Sequence, residues 1–156
     1  MATSRFIADI TVRALVGNLI AAVVVKNRIE RTTEDAAEFR RNLMEYSDLG
    51  VAPYFLLLSQ DYGYAWRQNG SAVELRSPDA VFSMSPVIAH YSGAHTASAR
   101  MWNFQLELIV YRWLLDLTDG ILTAGDETGE ALSLIGFVDA IQDAIVELEP
   151  AVDSVR

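Results

Sequence analysis

Leu19-Ile-Ala-Ala-Val-Val-Val-Lys26-Asn27 runs seven apolar residues straight into a lysine. A short continuous apolar run of this kind reads as a strand buried on both faces. Val23, Val24 and Val25 favour an extended backbone because branching at Cβ stiffens χ1. Lys26 is the exception in the run: a charge at the end of a core strand must be paired, reach out to water, or act. Upstream, Phe6-Ile-Ala-Asp9-Ile-Thr-Val-Arg13 alternates and carries Asp9 among apolar neighbours. Gly17-Asn18 lies between the two runs and suits a turn that needs positive φ. An antiparallel hairpin of strands at about 5–13 and 19–26 brings Asp9 and Lys26 together at one end of a sheet.

Downstream, Thr32 or Thr33 can cap a helix whose first turn holds Glu34 and Asp35, where the helix dipole favours acids. Ala36, Phe39, Leu43 and Tyr46 recur at helical spacing and Gly50 supplies a stop, which predicts a helix over 34–48. Pro53-Tyr-Phe-Leu-Leu-Leu-Ser59 is a second buried strand, with Tyr64-Ala-Trp66-Arg67 returning as its hairpin partner. Asn69-Gly70 signals a further turn into a short edge strand at 72–75. Ser77-Pro78-Asp79 reads as the start of a helical stretch that Pro86 kinks or splits. A long helix is expected over 98–118, marked by Trp102, Leu106, Ile109, Trp113 and Leu117, and another over 129–148, marked by Leu134, Val138, Ile141, Ile145 and Leu148. The expected fold is α/β (α+β): a central mixed sheet flanked by helices, with two long C-terminal helices. All 156 residues read as one domain, with a core at about 5–118 and a helical extension at 119–156.

The chain is 51% hydrophobic, which is globular, yet holds no uninterrupted apolar run long enough to span a bilayer. It has no cysteine, hence no disulfide framework and no thiolate metal site. With no signal-peptide pattern at its start, a cytoplasmic location is the default expectation and no membrane is expected as a partner. A net charge of −9 disfavours a sequence-independent nucleic-acid binder. Against that balance, Lys26, Arg28, Arg31, Arg40 and Arg41 form a local basic cluster.

The order of strand with Asp, turn, strand ending in Lys, helix, and strand hairpin ending in Tyr-x-Trp resembles the PD-(D/E)XK nuclease superfamily. It is most similar to a bacterial group within it related to the nuclease modules of restriction enzymes. The matching tokens are Ile7-Ala-Asp9-Ile, Val23-Val-Val-Lys26-Asn27, Phe39-Arg-Arg-Asn-Leu43, Pro53-Tyr-Phe-Leu-Leu, Tyr64-Ala-Trp66, Phe104-x-x-x-Leu108 and Trp113-Leu-Leu-Asp116-Leu117. The resemblance implies a restriction-endonuclease-like sheet. It also implies a Mg²⁺ site in which Asp9 is the aspartate, Lys26 the catalytic lysine, and Val25 the position whose backbone carbonyl adds an oxygen. The acid of the E-x-K triplet falls on Val24, which has no side-chain oxygen to offer. Some members of the superfamily move that acid to the following helix. Here Glu38, in register with Asn42 and Tyr46, is the positional candidate, and Glu34 is a second. The alternative makes Glu38 a solvent-facing partner of Arg41 or Asn42, and Asp9–Lys26 a vestigial ion pair.

His90 and His95 are five residues apart, the wrong spacing for an i, i+4 zinc pair on one helix. Ser83, Ser85 and Ser92 have no placed base, and no G-x-S-x-G, G-x-G-x-x-G or phosphate-binding loop occurs. The Trp102/Trp113 stripe is expected in the core. Three functions remain open: a catalytically degenerate nuclease-fold protein used in interaction or assembly; a Mg²⁺-dependent DNA or RNA endonuclease using Asp9, Lys26 and Glu38; and an acidic regulatory or immunity-type partner. Apolar residues spread over more than one stripe of the C-terminal helices predict a homodimer or larger assembly.

Overall fold

The computed structural model describes residues 8–27, 32–45, 47, 49–68, 75–92, 101–121 and 126–149. Among them the chain forms β1 (Ile10–Arg13), β2 (Leu19–Val25), α1 (Thr33–Glu45), a 3₁₀ turn (Leu49–Val51), β3 (Tyr54–Leu58), β4 (Tyr62–Arg67) and β5 (Ala80–Ser83). Then follow α2 (Ser85–Ser92), α3 (Asn103–Thr118), α4 (Asp126–Leu134), α5 (Phe137–Ala140) and β6 (Ile145–Leu148). The six strands make one mixed sheet in the order β5-β4-β3-β2-β1-β6. Only β2 and β3 run parallel, joined by the crossover through α1, and the other neighbours are antiparallel.

The hairpin that organises the sheet is local chemistry. Gly17 takes φ 106°, and its N–H donates to Ala14 O at 2.8 Å, closing the turn between β1 and β2. The register Ile10↔Val23 then fixes which residues share a face. One face carries Ile10, Val12, Val23, Val25, Leu56 and Leu58, buried with Val87 and Ile88 of α2, Leu106, Val110 and Trp113 of α3, Leu132 of α4 and Phe137 of α5. The other carries Ala22, Val24, Phe55, Leu57 and Trp66, buried with Ala36, Ala37 and Met44 of α1. β2 therefore sits in the middle of a helix–sheet–helix sandwich, which explains its unbroken apolar run. Thr32 caps α1, its Oγ1 accepting from Asp35 N at 3.0 Å.

Four expectations are corrected. Ser77-Pro78-Asp79 does not open a helix. The Asp79 carboxylate accepts from Arg67 N at 2.7 Å and pairs with Arg76, which ties this stretch to β4 instead. Ala80–Ser83 then alternates buried and exposed as β5, and Pro86 occupies the first turn of α2, where its missing N–H costs no helix bond.

The expected helix over 129–148 is broken at Gly136, which takes φ 82°, and turns again at Asp143. Its end becomes β6, paired antiparallel with β1, so there are not two long C-terminal helices, and the described segment 126–149 contributes to the sheet and core. The Trp102/Trp113 stripe divides: Trp113 is in the core, whereas Trp102 precedes α3 and is 79% exposed. Helix α1 ends at Glu45 rather than 48. The expected edge strand at 72–75, the start of the 98–118 helix, and Arg28, Arg31, Tyr46 and His95 fall largely or wholly outside the described residues. No helix among the described residues is long and apolar enough to cross a membrane.

Candidate functional site

The parallel pair β2/β3 ends at Val25 and Leu58, and the chain beyond these ends meets the start of α3. This is the side of an α/β sheet where ligands commonly bind. Lys26 N extends the β2–β3 ladder by donating to Leu58 O at 2.9 Å, so Val25 turns its own N–H and C=O toward β1. β1 begins only at Ile10, and side chains complete what the strand does not reach. Asp9 Oδ2 accepts from Val25 N at 2.7 Å, and Asn103 Nδ2 donates to Val25 O at 3.2 Å. The same Asn103 amide donates to Glu107 Oε2 at 3.0 Å, one turn along α3. Asn103 Oδ1 accepts from Asn27 N at 2.7 Å, and Asn27 Nδ2 donates to Met101 O. Gln60, just past β3, accepts from Met101 N at 2.9 Å. The approach to β1, the end of β2, the turn after β3 and the start of α3 are thereby laced together by amide and carboxyl groups.

The electrostatics follow from this packing. Burial pushes the Asp9 carboxyl above its ordinary range, opposed by the Val25 N–H bond and by the Lys26 charge. Burial also pushes Glu107 upward, reinforced by the nearby Asp9 carboxylate and opposed by Asn103. Asp9 and Lys26 flank the ends of adjacent antiparallel strands, close enough for the Lys26 charge to act on the Asp9 carboxyl, but among the described residues they form no ion pair. Lys26 is exposed, with its ammonium 6.0 Å from the centre of the Phe39 ring on α1. Val24 is wholly buried in the apolar cluster beneath α1.

Glu38 is exposed on α1. The fold places Glu107 within electrostatic reach of Asp9, and Glu149 directly across from it, donating its N–H to Asp9 O at 2.9 Å; sequence reasoning singled out neither. The local signal for Glu107 was the Asn103–Glu107 pair at i, i+4 near the start of α3. Arg40, a member of the basic cluster, is fully buried against Trp66 and donates through Nε to Gln68 Oε1 at 3.0 Å. Ser83 Oγ accepts from Ser85 N and Ser92 Oγ donates to Ile88 O, both local backbone contacts.

The donors fit a Mg²⁺ ion poorly. A hard cation of this kind wants oxygen ligands in near-octahedral array. Here position 24 supplies none, Asp9 Oδ2 is bonded to Val25 N–H, and the Val25 carbonyl is engaged by Asn103. Among the described residues no three His, Cys, Asp or Glu side chains gather as a metal site would require. Compared with family models, curated proteins and solved structures, the chain matches none.

Proposed function

We propose that this chain is a catalytically degenerate protein of PD-(D/E)XK-like, restriction-endonuclease-like architecture that works by binding another protein or a second copy of itself. The observation that carries the reading is Val24: the residue standing where the metal-binding acid belongs is sealed into the apolar cluster under α1. The neighbouring Asp9, Val25 and Asn103 groups bond one another and hold α3 to the end of β2, which is a structural task. Beside them Trp102 and Phe104 stand 79% and 64% exposed, large apolar side chains of the kind that anchor protein contacts. Calorimetry with Mg²⁺ and with Mn²⁺, followed by plasmid and single-strand cleavage assays, tests the loss of catalysis. Sedimentation of the purified chain and of a Trp102→Ala, Phe104→Ala variant tests the contact. The expected results are no metal heat, no cleavage, and a self-associated or partner-bound species that the double variant weakens.

A second reading is favoured by one specific observation, the Glu107 carboxyl within electrostatic reach of Asp9. In it a relocated acid comes from α3 and the protein is a divalent-metal-dependent nuclease. Cleavage that is lost in Glu107→Ala and kept in Glu38→Ala selects it. Loss in Glu38→Ala with retention in Glu107→Ala selects the acid on α1 instead.

A further inference from the structure

More than a turn beyond Glu107, α3 forms one wall of an open cavity of about 470 Å³ lined by His90, Tyr91, Arg112, Leu115 and Asp116. The volume lies within the range of small-molecule sites. Arg112 and Asp116 stand at i, i+4 and would ordinarily pair across one helical turn. Ion pairs between described residues join Arg13 to Glu147, Arg41 to Glu45 and Arg76 to Asp79, and Arg112 belongs to none of them. Across the cavity, Tyr91 Oη donates to Asp116 Oδ2 and links that carboxylate to α2. The Asp116 carboxylate and the Arg112 guanidinium both line this cavity. Its apolar side is Leu115 together with the His90 and Tyr91 rings, which stand edge to face with centroids 4.6 Å apart.

We propose that this cavity binds a small zwitterion of the amino-acid type. The ligand carboxylate lies on the Arg112 fork, its ammonium on Asp116 Oδ1, and its apolar side chain against Leu115 and the two rings. A pocket with one fixed charge of each sign is neutral overall, so it favours a ligand bearing both charges over a simple anion or a simple cation. This inference is independent of the function proposed above, since it uses no residue of the Asp9–Asn103–Glu107 cluster.

The test is titration of the full chain, followed by ¹H–¹⁵N correlation spectra, with L-phenylalanine, phenylpropionate (no ammonium) and phenethylamine (no carboxylate). L-Phenylalanine is expected to shift signals from residues 90–92 and 112–116 saturably, with a Kd of about 1 mM, and each truncated analogue to bind roughly tenfold more weakly or worse. Arg112→Gln, an exposed substitution, is expected to remove the preference for L-phenylalanine over phenethylamine, and Asp116→Asn the preference over phenylpropionate. No saturable shift at about 10 mM, or equal affinity for all three probes, overturns the proposal.

Discussion

The Asp9 carboxylate caps the backbone N–H of Val25 at 2.7 Å, across the gap where β1 has not yet begun. An aspartate to which the family resemblance gives a metal-binding role is thus a ladder acceptor in the folded protein. It does for the end of β2 what a backbone carbonyl would do in a longer hairpin. Removing the acceptor leaves a part-buried donor unsatisfied, which costs more than the bond itself contributes. Asp9→Ala is therefore expected to destabilise the protein by about 1–3 kcal/mol in urea unfolding at neutral pH. Asp9→Asn keeps an acceptor oxygen and is expected to lose less than half as much. Equal losses in the two variants would show that charge, not the bond to Val25, is what matters.

Glu107 gives the pH dependence a sign. Its folded pKa is raised, first by burial and then by the Asp9 charge. A carboxyl raised on folding holds its proton more tightly in the native state. Its contribution is most favourable below the ordinary carboxyl pKa and is lost as pH rises through the raised folded value. Asp9, also raised, acts in the same direction over the same acidic window. Glu107→Gln keeps an acceptor for Asn103 and removes the charge. It is expected to stabilise the protein at pH 7 by about 0.5 kcal/mol, a figure kept small because solvent screens a partly exposed group. The gain should vanish near pH 3, where wild-type Glu107 is itself neutral in both states. A variant that is less stable than wild type at pH 7 would contradict this account.

What the sequence disclosed was local. The Gly17 turn, the Thr32 cap and the continuous apolar runs of β2 and β3 each follow from a few adjacent residues, and each element lies where those residues place it. What it hid was decided at a distance. Asp79 has the credentials of a helix-start residue, but the Arg67 N–H and the Arg76 side chain claim its carboxylate. Ile145 and Leu148 fit a helical stripe, yet the turn at Gly136 frees them to pair with β1, more than a hundred residues earlier in the chain. The candidate site divides in the same way. Asp9 and Lys26 were legible because a hairpin joins them. Glu107 was not, because only the packing of α3 against β2 carries it to Asp9.

Gly63 tests the packing of β3, β4 and β5. A Cβ built there would stand 2.1 Å from Phe82 Cε1 and 2.9 Å from Leu58 Cδ2, closer than atoms can approach. Phe82 lies directly opposite Gly63 in the β4–β5 pair and is buried, so its ring has little room to move aside. Gly63→Ala is expected to cost about 1–3 kcal/mol by overpacking. Combining it with Phe82→Leu should recover part of the loss, because the smaller side chain makes room for the new methyl. Denaturant midpoints of the two single variants and the double variant form the cycle that checks this. Additive losses would place the strain elsewhere.

Val24→Glu bears most directly on the degenerate reading. Position 24 alternates with Lys26 onto the α1 face of β2, and the valine there is fully buried with Ala36 and Ala37. A carboxyl placed in that cluster loses its hydration and titrates upward, or it must reach past the strand end toward Lys26. Either course weakens the fold, by about 3 kcal/mol or more in chelator at neutral pH. The loss should shrink as pH falls and the new acid takes up a proton. On the proposed reading, the new carboxyl adds the second oxygen donor that the E-x-K pattern calls for. Mg²⁺ is therefore expected to restore part of the stability by binding only the folded chain, at concentrations that leave the wild-type melting temperature unchanged. Thermal melts of both proteins in chelator and in Mg²⁺, at acidic and neutral pH, measure all of these effects together. A wild-type protein that Mg²⁺ already stabilises would show that position 24 was never the missing ligand, and would move attention to Glu107.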